Sequence, residues 1–116
     1  MAKTQVEIAD MIMKAINALS IEGHRSEELI KAKAESARDY DKYISIATAE
    51  LKAKGEPITI IDKIAKGNCS EVLYKKILAE EMLKAHYSKI ERLEAQMNGL
   101  QSMNRYLTST TRMEIL

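Results

Sequence analysis

One proline, Pro57, stands alone in this chain, and on both sides of it apolar residues recur every three or four positions. That spacing draws a stripe along a helix and has no counterpart in the two-residue alternation of a strand. The chain is therefore expected to be all-α, with its one obligatory interruption near residue 57.

In the first half, Ile8, Ile12, Ala15 and Leu19 share one helical face. Thr4 followed by Glu7 has the form of a capping box at the entrance. Gly23 costs roughly 1 kcal/mol in a helix interior relative to Ala. It marks a kink or a short break, with Ser26 placed to cap a fresh start and Glu27 and Glu28 in a first turn that favours negative charge. Beyond it, Ile30, Ala37, Ile44 and Leu51 lie seven apart, with Tyr40 and Ala47 between them. Lys33 falls where an apolar residue would be ideal, so Ala34 shares that position. The spacing predicts a long helix, or a kinked helix pair, over 4–54.

The stretch "GEPITIIDKIAKGN" then predicts a helical corner over 55–68. Gly55 suits the position just past a helix, and Pro57 cannot continue one. Thr59 with Asp62 has the spacing of a cap before Ile60, Ile61 and Ile64, three residues expected to plug the end of the helix pair. Gly67 closes the short helix, and Asn68 with Glu71 opens the next. A strand over "PITII" is the competing reading. A second long helix follows over about 69–107, with Leu83, Ile90 and Met97 in one heptad position and Leu93, Leu100 and Leu107 in the other. His86 and Asn104 are polar residues in the same register. The tail 108–116, polar and then apolar, is expected to fray or to dock on a neighbour.

Composition agrees. There are five Tyr, no Trp and no Phe, so large rings are not available to fill a broad core. Ala, Ile, Leu, Met, Lys and Glu suit long helices instead. We expect one antiparallel long-helix hairpin with a short corner, coiled-coil-like, whose seams (Ile30, Ala37, Ile44, Leu51, Leu83, Ile90, Leu93, Met97, Leu100 and Leu107) are completed in a homo-oligomer. Lys and Arg total 18 against 17 Asp and Glu, interleaved along both helices as on a solvated face.

The chemistry on offer is narrow. Cys69 is the single cysteine, which excludes an intrachain disulfide and fits a reducing cytoplasm. Lys3, Glu7, Asp10 and Lys14 interrupt the first stretch too often for a signal core or a membrane span. Cys69, His24 and His86 lack metal-ligand spacing, so no metal and no cofactor is expected. Cys69 begins a helix but has no histidine near it in sequence, no carboxylate pair is marked as acid and base, and "AKGNCS" lacks the phosphate-loop pattern. An enzyme is not expected. Two cationic groups remain as candidate anion or nucleic-acid contacts. Lys63, Lys66, Asn68 and Ser70 surround a helix start, whose amides favour anions. Arg105, Tyr106 and Arg112 lie near the end of the last helix, in a stretch with few other charges, together with Lys89 and Arg92 upstream.

The pattern P-x-x-x-I-x-x-x-A-K-G, carried by Pro57, Ile61, Ala65, Lys66 and Gly67, resembles small helical bacteriophage proteins of the recombination and replication region. In layout the chain is also similar to UvsY-type recombination mediators. The resemblance implies a non-enzymatic accessory protein in the host cytoplasm that assembles through its helices and contacts single-stranded DNA or a DNA-bound protein. The alternative is an anti-defence protein that binds a host immune protein or sequesters a nucleotide signal.

Overall fold

The computed structural model describes residues 4–115, with side chains through residue 110. The protein is all-α, a helical hairpin of α1 (Gln5–Ala53), a corner helix α2 (Ile58–Asn68) and α3 (Ser70–Ile115), with no strand among the described residues. It divides into two compact units. One is built from residues 26–85, and the other from the chain up to residue 25 together with the chain from residue 86 onward.

Helix α1 begins with the Thr4 half of the expected capping box: the Glu7 amide donates to Thr4 Oγ1 at 3.1 Å. It then runs without a break through Gly23. The loss of roughly 1 kcal/mol at one glycine is small beside the packing of a 49-residue helix. Ser26 is therefore an interior residue and not a cap.

In the unit 26–85, α1 ends in a Schellman turn. The Gly55 amide donates to the Lys52 carbonyl (3.1 Å) and the Glu56 amide to the Leu51 carbonyl (3.2 Å). Gly55 has φ +80°, the left-handed conformation that a side chain would strain. Pro57, extended at φ −62° and ψ 135°, is the N-cap of α2, and no side chain caps that helix. Thr59 and Asp62 thus lie inside α2. Proline's fixed φ and the bond from the Ile60 amide to the Pro57 carbonyl (3.1 Å) start the first turn without them.

Gly67 does not close α2, which continues to Asn68. Cys69 alone makes the junction to α3, at φ −101° and ψ 18°. Its amide still donates to the Ala65 carbonyl, and its carbonyl still accepts from Leu73, both at 3.0 Å, so neither helix loses its bonding there.

The core of this unit is Leu51, Ile61 and Ala65, with Ile44, Ala47 and Ile64 packed against it. Two of the three corner isoleucines plug the helix pair as expected. Ile60 does not: it is 40% exposed, and Ala65, one turn beyond Ile61, fills that place. Tyr40 is half-buried beneath the Lys76 ammonium, 4.9 Å from its ring centre.

In the other unit, Ile8, Ala15 and Leu100 are buried, with Ile12, Leu93, Met97 and Leu107 half-buried. The helix does not stop at Leu107. Thr108 and Thr110 turn their hydroxyls onto the carbonyls of Asn104 and Tyr106 (2.9 and 3.0 Å). These hydroxyls are satisfied without leaving the helix, and α3 reaches Ile115.

The seam residues are covered, wholly or in part, within the single chain: Leu51, Leu83 and Leu100 are buried, and Ala37, Ile44, Ile90, Leu93, Met97 and Leu107 half-buried. Ile30 is the exception, 48% exposed. A straight α-helix drifts about 20° per heptad from a strict seven-residue repeat. Three heptads back from Leu51, the buried face has passed from Ile30 toward Leu29, which is half-buried.

Candidate functional site

Two features stand out, one in each unit. The first is a buried polar cluster. Ile8, Ala15 and Glu22 are seven apart on α1, and His86, Leu93 and Leu100 are seven apart on α3. Glu22 (3% exposed) and His86 (4%) therefore occupy core positions by register. His86 Nδ1 lies 3.0 Å from Glu22 Oε2, and the Lys89 ammonium 2.7 Å from Glu22 Oε1. Arg25 approaches Oε2 at 3.6 Å.

The Lys89 hydrogen bond holds the Glu22 carboxyl below its ordinary value of 4.5. Burial opposes it, while the His86 hydrogen bond and the charges of Lys89 and Arg25 add to it. An ionised carboxylate only accepts, so Nδ1 carries the proton in this bond. The consequence of this arrangement is that the pairing of α1 with α3 matters to the buried carboxylate. A one-heptad slip would set Glu22 against Leu93 or, in the other direction, His86 against Ala15, burying a polar group without its partner.

The second feature is a groove on the unit 26–85. One wall is a stripe of α1, with Leu29, Ser36, Tyr43 and Glu50 seven apart and Ala32, Asp39 and Ile46 between them. The other wall runs from the Cys69 junction along α3 to Met82, by way of Val72, Lys75 and Ala79. Tyr43, Ile46, Leu78 and Met82 on these walls remain between 43 and 50% exposed. Sequence reasoning named neither Glu22 nor this stripe. Both were present as strict seven-residue repeats, one concealed by carrying a charge and the other by flanking a stronger seam.

The cationic candidates are divided between the two units. Lys63 and Lys66 are exposed on α2, and Lys66 is spent on Asp62 at 3.0 Å, which raises its pKa. Asn68 ends α2 and Ser70 begins α3. In the other unit, Arg105 reaches the Ser102 hydroxyl at 3.4 Å and Tyr106 is exposed. Lys89, grouped with them by sequence, is committed to Glu22. The Arg112 side chain lies outside the described residues.

Cys69 is buried in the junction. Among the described residues no group of three or more His, Cys, Asp and Glu is placed to hold a metal ion, and no helix is long and apolar enough to cross a membrane. Comparison with family models, curated proteins and solved structures finds no match to this chain.

Proposed function

We propose that this chain is a non-enzymatic accessory protein, of the phage recombination and replication kind, that works by offering a helical face to a DNA-bound protein. The observation that supports this reading is the groove whose walls leave Tyr43 and Ile46 of α1 and Leu78 and Met82 of α3 between 43 and 50% exposed. Large apolar side chains in register along a groove mark an interaction surface more than a solvated one. Direct grip on DNA has less support, because cations neutralise phosphates best when clustered and unpaired, whereas Lys66 on α2 is paired with Asp62.

The test is fluorescence anisotropy with a labelled single-stranded oligonucleotide across a salt series, beside a pull-down from infected cells. The expected result is weak DNA binding by the chain alone and recovery of a recombination or replication protein. Tight, salt-sensitive binding lost on neutralising Lys63, Lys66 and Arg105 would move the function to DNA itself. Recovery of a host immune protein would make the chain an anti-defence protein.

A further inference from the structure

We infer that the groove on the unit 26–85 receives one amphipathic helix of a partner protein, carrying basic residues beside its apolar stripe. The inference rests on the reading of this chain as a helix-docking protein and adds the chemistry of what docks.

Register sets the shape of the occupant. The α1 wall repeats at seven residues from Leu29 to Glu50, three heptads, and the facing α3 wall carries Val72 and Ala79 at the same period. Two walls with heptad spacing match the ridges of a third helix and no extended strand. Small residues, Ala32 and Ala79, leave room for close approach, while Tyr43, Leu78 and Met82 offer the area to bury.

Charge selects the occupant. The groove is lined by the carboxylates of Glu35, Asp39, Glu50 and Glu71 against the one ammonium of Lys75. Glu35 and Asp39 are partly answered by Lys31 (3.9 Å) and Arg38 (3.1 Å), both on exposed surface. Glu50 and Glu71 have no ion-pair partner among the described residues, and they stand on opposite walls at the end of the groove near α2. An incoming helix with Lys or Arg on both flanks meets a carboxylate on each wall there. An acidic one meets repulsion.

The experiment uses the full chain and two synthetic three-heptad peptides, identical in their Leu stripe, one flanked by Lys and Arg and the other by Glu. Binding is followed by anisotropy and the chain's mass by light scattering. The expected result is that the basic peptide binds at least about tenfold more tightly than its acidic twin, the size of two well-placed exposed ion pairs. Glu50→Lys with Glu71→Lys, both on exposed positions, should abolish that preference, and Met82→Glu should abolish binding at unchanged helicity.

Equal binding of the two peptides, lost in Met82→Glu, would overturn the basic partner and leave helix docking intact. A stable dimer that Met82→Glu splits would assign the groove to a second copy and overturn the proposal. A monomer that binds neither peptide would overturn both the proposal and the reading beneath it.

Discussion

Glu22 and His86, 64 positions apart in sequence, meet through a 3.0 Å hydrogen bond at two core positions of one helix pair. A carboxylate and an imidazole there hold positions that two leucines could also fill. The polar pair also disfavours the neighbouring registers, because a shifted seam leaves a buried polar group unpaired.

Glu22→Ala should destabilise the fold more than any exposed ion-pair change in the molecule. Asp10→Asn, which breaks the exposed pair with Lys14 at 3.0 Å, should cost about 0–1 kcal/mol. Urea melts of the two variants make the comparison, and equal effects would show that the buried cluster contributes no more than an exposed pair.

Acid should remove the same contribution. The Glu22 carboxyl titrates below its ordinary 4.5 in the folded state, so the unfolded chain takes up the proton first. The stabilisation is complete above that ordinary value and is lost as pH falls through the lowered one. The stability gap between wild type and Glu22→Gln should be flat near neutrality and close at acid pH. A gap unchanged down to the acid limit would contradict the assigned bond.

The glycines should respond with opposite signs. Gly55→Ala forces a side chain to φ +80° and should cost about 1–2 kcal/mol. Gly23 sits mid-helix with nothing within 4 Å of an added Cβ, so Gly23→Ala should stabilise by about 0.5–1 kcal/mol. Thermal melts followed by circular dichroism would separate them.

Adjacent isoleucines give the sharpest test of the corner. Ile61→Ala removes a side chain only 4% exposed and should cost about 2–5 kcal/mol. Ile60→Ala should stay within about 0.5–1 kcal/mol. If their effects were reversed, the helical phase assigned to α2 would be wrong.

Helical class, the Thr4 entrance, the Gly55 exit and the corner at Pro57 were legible in the residues, because caps, left-handed glycines and proline act within a few positions of themselves. Periodicity also identified the seams, since it needs only the chain's own rotation per residue. Long-range energies decided the rest. Gly23 stays helical because packing outweighs a local preference of roughly 1 kcal/mol. Ile60 and Ile61 carry the same side chain, and only the placement of α2 against α1 chose which to bury. Glu22 reads as a surface residue until His86 and Lys89 arrive from α3 to satisfy it. A charge can occupy a core position when a distant segment supplies its partners, and no stretch of sequence around Glu22 contains both of them.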